Sequence, residues 1–402
     1  MQPHLHIAIP AINEMAYLPF TLEDISKQHC TECFTVYVCV NQPEEWWNDP
    51  EKKGICENNQ QLIQFLQEYD SFPIIILDFS SIGKGWQGKK HGVGWARKAL
   101  FDHILQTSSD EDIIISLDAD TRFGATYFQS IVDQFAKSSF PAISVPYYHQ
   151  LTEDDRANRA ILRYELYMRN YVLNMYEIGS PFNFTAIGSA IAMRVKGLRK
   201  IGGITPMKSG EDFYLLQKFR KMGPISNWNS TLVYPATRFS SRVYFGTGPA
   251  MIKGDAGDWS SYPIYHFSLF KEIKNTYDQL ETLFKTDIDT PFLEFLKEQY
   301  QENDLWGPLR KNFKAFRLFE RAFHEKADGL RILQYLKFKN QRVSYNNNEA
   351  FKENMLHFFN EEGDLNEINE VDLEGVSTTV LNEYRDLFFK KEQQLRFSEK
   401  NG

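Results

Sequence analysis

Four cysteines in 402 residues (Cys30, Cys33, Cys39 and Cys56) are too few for a disulfide scaffold. Cys30-x-x-Cys33 stands without a second cysteine pair or a histidine pair. It therefore lacks the ligand set of a zinc site, and it also lacks the local pattern of a redox site. Ordinary reduced thiols are expected. No apolar run approaches the ~20 residues that span a bilayer, and the first residues carry no signal-peptide pattern. The expectation is a cytoplasmic chain. Positive charge is not in excess: 45 Lys and Arg stand against 53 Asp and Glu, and the net charge of −8 argues against general nucleic-acid binding. Internal repeats, low-complexity tracts and a Walker A ending are missing too.

The remaining composition, 42% hydrophobic and 24% charged, is that of a globular protein long enough for two domains. Strands are expected at His4 to Pro10, Phe34 to Val40, Ile74 to Leu77, Ile113 to Leu117, Ala142 to Pro146 and Ile187 to Met193. Helical patterns lie between them, at Asn59 to Tyr69, Val93 to Gln106, Tyr127 to Lys137 and Asp155 to Ile178. Such alternation implies a mixed, mostly parallel α/β sheet covered by helices. From about Asp255 the pattern is helical without strands and rich in Phe, so the expected division is 1–254 and 255–402. In that second part Leu309, Phe313, Phe316, Phe319 and Phe323 form a stripe interleaved with basic residues. It reads either as a helix packed on its own domain or as a peripheral contact with the inner face of the cell membrane.

Candidate chemistry collects where the strands end. Asp118-Ala119-Asp120 closes the fourth strand. Two carboxylates at i and i+2 point the same way at the carboxyl edge of an open sheet, and such hard oxygens suit Mn²⁺ or Mg²⁺. The bland alternative is a solvated turn. The glycine-rich, basic run Gly83 to Arg97 opens a helix and reads as a diphosphate cradle or a flexible loop. Gly188 lies in a strand of small residues, where a ligand can approach the backbone. Glu211 and Asp212 start a helix, whose dipole favours ionised carboxylates. Arg238 and Arg242, around a later glycine turn, read as a clamp over a diphosphate or as a surface hairpin.

In order, these pieces resemble the family 2 glycosyltransferases, which have the Rossmann-like GT-A fold. Ile9-Pro10-Ala11-Ile12-Asn13-Glu14 looks like the family's opening Val-Pro-x-x-Asn-Glu, and Gly92 to Arg97 is similar to its Gly-x-Gly-x-Ala-Arg helix start. Asp118-Ala119-Asp120 stands where its Asp-x-Asp belongs, and Gly202-Gly203 with Gly210-Glu211-Asp212 resembles its Gly-Gly … Glu-Asp element. The match covers roughly the first 220 residues.

The resemblance implies transfer of a sugar, with inversion, from a nucleotide-diphosphate sugar to an acceptor hydroxyl of cell-surface glycan or glycolipid type, with a divalent metal. Asp118 would contact the nucleotide, and Asp120 with Asp118 would hold the metal. Asp212, beside Glu211, would be the general base. Pro10, Ala11 and Glu14 would line the nucleotide site and Arg97 would lie near it; Asn41, Gly188 and Arg242, read from the residues themselves, join them as candidates for the nucleotide-sugar site. Two departures stand out. The second strand ends in Asn41-Gln42 where many relatives carry an Asp pair that reads the base, and the Gln-x-x-Arg-Trp element of processive members is absent. A single-transfer enzyme fits better. The competing readings are a sugar-phosphate nucleotidyltransferase and a catalytically silent nucleotide-sugar-binding protein.

Overall fold

The computed structural model describes residues 2–241, 246–343, 345–359 and 371–400. Its strands are β1 (Leu5–Ala11), β2 (Phe34–Asn41), β3 (Ile74–Phe79), β4 (Ile113–Ser116), β5 (Arg122–Phe123), β6 (Ala142–Ser144), β7 (Ile191–Arg194) and β8 (Val233–Tyr234). Six of them form one sheet in the order β3-β2-β1-β4-β7-β6; β5 and β8 make a separate antiparallel pair. The first four strands of the sheet run parallel, and β7 pairs antiparallel with both β4 and β6. Every residue of β1 and β4 is buried, as continuous apolar runs require when both faces of a strand are covered. The helices of this part are α1 (Leu18–Ser26), α2 (Lys53–Glu68), α3 (Val93–Thr107), α4 (Tyr127–Ala136), α5 (Asp155–Glu177), α6 (Val195–Lys200) and α7 (Glu211–Met222), of which α2, α3, α6 and α7 pack on strands of the sheet. This is the mixed, mostly parallel sheet expected from the sequence. Beyond β8 the described residues form helices and no further strands, so the helical C-terminal region is also found.

The strand expected over Ile187 to Met193 begins only at Ile191. Ahead of it the Ala190 N–H turns back onto the Ile187 carbonyl at 2.8 Å, which makes a turn of the residues before Ile191. The expected helix from Asn59 starts earlier, at Lys53. Asn59 lies inside it, accepting from the Asn13 N–H at 2.8 Å and donating to Gln42 at 2.8 Å. Asn13 has φ of +57°, a left-handed turn that asparagine tolerates, and it redirects the chain as β1 ends.

The strand order places the site. From β1 the chain builds outward through β2 and β3, then returns to lay β4 on the other side of β1. The crevice beyond the carboxyl ends of β1 and β4 is thus a topological switch point, the usual ligand position in an open α/β sheet. The loop after β1 carries Glu14, and the loop after β4 carries Asp118 and Asp120. Helix α1 pins that second loop. The Thr21 hydroxyl lies 2.9 Å from the Ala119 carbonyl and 3.1 Å from that of Thr121, and Asp24 accepts two bonds from Arg122 at 2.6 and 2.7 Å. At the far edge, β6 is covered by the segment at Ser226 (2.8 and 3.0 Å) and by Arg396, which donates to the Ser144 and Asn227 carbonyls at 3.1 and 2.7 Å.

The chain divides into two compact units: Met1–Ile161 with Thr185–Gly257 and Arg396–Gly402, and Leu162–Phe184 with Asp258–Leu395. The second unit is helical. Leu162, Leu166, Phe351, Met355, Leu381 and Phe388 are part of its core. Two residues of the Phe stripe are used there: Phe319 and Phe323 are fully buried, and Phe319 packs on Phe284 with ring centres 5.3 Å apart, while Leu309, Phe313 and Phe316 are half-buried. Among the described residues no helix is long and apolar enough to cross a membrane.

Four buried charges hold this unit. Arg169 meets Glu165 at 3.1 Å and Glu392 at 2.6 Å, while Arg385 meets Glu165 at 3.0 Å. Removing one member of a buried ion network leaves its partners charged in a place water does not reach. Glu165→Ala is therefore expected to lose about 3 kcal/mol or more in a urea melt followed by far-UV circular dichroism.

Candidate active site

Helix α3 delivers the central side chain. A Cβ on Gly94 would run into the Met207 backbone, so the second glycine of Gly-Val-Gly lets the first turn of α3 lie against the segment leading to α7. That approach turns Arg97, 3% exposed, inward. Its guanidinium pairs with Asp118 at the end of β4 and with Glu211 in the first turn of α7, and its Nε lies 3.3 Å from the Ser116 hydroxyl. Burial disfavours the charge, but Asp118, Glu211 and Asp212 outweigh it and raise the pKa of Arg97 above its ordinary value. A Cβ on Gly188 would fall on this guanidinium. Gly188 thus leaves the space that the Arg97 guanidinium occupies.

A second arginine closes the other side. Arg238 donates to both oxygens of Glu14 at 2.8 and 2.9 Å and from Nε to Asp120 at 2.8 Å; a second Arg238 nitrogen also meets Asp120. The guanidinium lies 3.9 Å above the centre of the Tyr17 ring. The switch point thus gathers Glu14, Asp118, Asp120, Glu211 and Asp212 from three separate stretches around two guanidiniums. Arg238 appeared in the sequence only as one of two arginines near a glycine turn. The other, Arg242, lies outside the described residues.

The negative excess shows in the protonation of the acids. Burial, with Asp120 and Glu211 nearby, pushes Asp118 up to about 6 against the pull of Arg97 and Arg238, although its side chain is still 36% exposed. Burial and Glu211 push Asp212 up to about 7, opposed by Arg97 and by the Phe213 N–H that Asp212 accepts at 2.7 Å. The expectation that the helix start keeps Asp212 ionised is corrected: desolvation and a like charge outweigh it.

Other expected site residues take local roles. Pro10 and Ala11 are buried within β1, in register with Cys39 and Val40 of β2. Asn41 is 2% exposed, its amide donating to the Ala11 carbonyl at 3.0 Å and accepting from the Trp86 indole at 3.3 Å. The side chain is thereby engaged by the fold itself. Trp86 stacks on Phe79 with ring centres 4.1 Å apart. The glycine-rich loop does form an anion nest, but the chain fills it. Glu44 accepts from the Gly83 and Gly85 N–H groups at 2.8 and 2.7 Å. A diphosphate cradle at those two amides is excluded while Glu44 sits there. Neither Glu44 nor the anchors Thr21 and Asp24 carried a sequence signal.

As a metal seat, Asp118 and Asp120 offer the hard oxygens expected at the end of a strand. Among the described residues no group of three or more His, Cys, Asp or Glu side chains is arranged to hold an ion by itself. The donor set fits an ion that takes one or two carboxylates from the protein and its remaining oxygens from a bound phosphate.

No protein-family model matches the chain, and no curated protein matches it. Solved structures of similar shape include S. aureus TarS 1–349 in complex with UDP-GlcNAc, at 12% identity and a TM-score of 0.41, covering 81% of this chain and 91% of that one. Another is the mannosyltransferase PcManGT from Pyrobaculum calidifontis in complex with GDP-Man and Mn²⁺, at 12% identity and a TM-score of 0.37, covering 81% and 87%. With TM-scores this low, the functional reading rests on the geometry of this chain.

Two outcomes are expected. Gly188→Ala drives a methyl into the Arg97 guanidinium and should lower stability by about 1–3 kcal/mol in chemical denaturation. Asp212→Asn should act the other way. A carboxyl whose folded pKa lies above its unfolded one costs stability wherever the fold holds it ionised, and the cost fades as pH falls from about 7 toward the ordinary 3.8. The variant's Tm should exceed the parent's by ~2 °C or more at pH 8, with the gain shrinking toward pH 4 in a thermal melt series.

Proposed function

We propose that the chain is a glycosyltransferase of GT-A type. It would use a nucleotide-diphosphate sugar and a divalent metal, transfer once per encounter, and invert the anomeric carbon. The observation that carries this is the convergence of Asp118 and Asp120, Glu211 and Asp212, and Glu14 on Arg97 and Arg238 at the switch point. Its sequence counterpart is the ordered series of motifs over the first 220 residues.

In this reading the acceptor oxygen bonds to the anomeric carbon as the bond from that carbon to the diphosphate oxygen breaks. The electron pair leaves with the nucleoside diphosphate. Asp212 takes the proton of the acceptor hydroxyl, and a pKa near 7 suits a base working near neutral pH better than an ordinary carboxylate would. Arg97 fixes Asp118 and Glu211, so the strand end and the start of α7 keep one spacing through the reaction. A divalent ion at Asp120 and Asp118 would supply charge stabilisation for the departing diphosphate. The acceptor class proposed is a hydroxyl of a cell-surface glycan or glycolipid.

Purified protein should transfer or hydrolyse sugar from one member of a donor panel that begins with UDP-GlcNAc and GDP-mannose, assayed by nucleoside diphosphate release with Mn²⁺. Asp120→Ala should abolish this, and Asp212→Asn should lower kcat by roughly 10²–10⁴-fold. In the parent, kcat/KM should fall below an apparent pKa near 7, because protonated Asp212 cannot accept the hydroxyl proton. A limb near pH 4 removes Asp212 from the role of base. Release of pyrophosphate from a nucleoside triphosphate and a sugar phosphate makes the chain a nucleotidyltransferase instead.

A further inference from the structure

Resting on that reading, we infer that Arg238 is a resident counter-cation: it holds Asp120 until a donor diphosphate draws it away, so that metal and nucleotide bind with positive coupling. Both of its carboxylate partners are nearly closed off from water, Glu14 at 4% and Asp120 at 14% side-chain exposure. Arg238 itself is at 16% and is seated on the Tyr17 ring, 3.9 Å from its centre. Its Nε donates to the same Asp120 oxygen that a second guanidinium nitrogen meets. A dication brought to that oxygen would stand beside a fixed positive charge, which in so enclosed a place repels it strongly. The guanidinium therefore competes with the ion for Asp120.

Release needs an anion that matches the guanidinium fork at least as well as a carboxylate does, and a phosphate is such a group. When the diphosphate takes Arg238, Asp120 turns to the ion, and the ion in turn meets the phosphate oxygens. One charge moves, and two ligands gain. Reciprocity follows from thermodynamics: the factor by which nucleotide tightens the metal must equal the factor by which metal tightens nucleotide. Arg97 is unsuited to this exchange. Its own side chain is 4% exposed against 16% for Arg238, and a Cβ on Gly188 would already fall on its guanidinium, so an incoming phosphate has no room to reach it.

The test titrates free Mn²⁺ by electron paramagnetic resonance, with and without UDP or GDP, in the parent, in Arg238→Met and in Tyr17→Leu. Arg238→Met keeps an apolar stem on the ring, and Tyr17→Leu leaves the arginine but removes its seat; thermal melts confirm that each is folded. The parent should bind Mn²⁺ at least tenfold more tightly with nucleotide than without. Arg238→Met should bind Mn²⁺ alone about tenfold more tightly than the parent and lose most of the coupling. Tyr17→Leu should shift the same way by a smaller factor. Equal Mn²⁺ affinity in the parent and both variants, with nucleotide still bound, overturns the exchange and leaves the glycosyltransferase reading standing. Absence of both Mn²⁺ and nucleotide binding in the parent overturns the two together.

Discussion

An excess of carboxylate over guanidinium at one edge of a buried sheet is the constraint that the first unit is arranged around. Glu14, Asp118, Asp120, Glu211 and Asp212 meet there with Arg97 and Arg238. Buried carboxylates repel one another and lack water, so they stay together only if cations are held among them at close range. This sets the demands on the surrounding chain. Helix α3 must come close enough to place Arg97 between β4 and α7, which is why Gly94 has no room for a side chain. The turn before β7 must leave space behind the guanidinium, which is why Gly188 has none either. The loop after β4 must not swing, and Thr21 and the Asp24–Arg122 pair of α1 and β5 restrain it.

The two arginines divide this work unequally. Arg97 is buried on every side and joins a strand end to a helix start; it behaves as framework. Arg238 bridges the loops after β1 and β4 across the switch point, from a segment far along the chain. Its partners are two acids and an aromatic ring, none of them a strand residue of the sheet.

What the sequence made legible follows from range. The strand cores and the mostly parallel order were readable because two-sided burial writes an unbroken apolar run into β1 and β4. Asp118, Asp120, Arg97 and Asp212 were readable because each sits at an element end, with glycines or a strand beside it. Pairing across the fold was not readable. Glu44 reaches the Gly83 and Gly85 amides some 40 residues away, and no local pattern distinguishes that glutamate from a solvated one. Asn41 stands where a base-reading residue is expected, yet its amide is taken by Ala11 and Trp86. Small residues around Gly188 suggested a strand open to a ligand. The structure shows a turn that admits a side chain of the same chain, because close backbone approach looks alike in sequence whatever approaches.

The protonation of Asp212 shows why position along a helix does not decide the state of an acid. A carboxylate in the first turn gains roughly 0.3–1 kcal/mol from the helix dipole. One pKa unit corresponds to about 1.4 kcal/mol, so that gain alone would move Asp212 downward by less than a unit. Burial and the neighbouring Glu211 move it upward from 3.8 to about 7, and neither Arg97 nor the Phe213 N–H reverses the sign. The same helix start thus carries two acids of different use. Glu211 is tied to Arg97 as an ion-paired anchor, while Asp212 feels Arg97 only at longer range and is left poised near neutral pH. An acid anchored by a guanidinium makes a poor proton acceptor, and an unanchored one makes a poor framework. On the proposed reading, placing them side by side would let the first position the helix and the second exchange a proton from it.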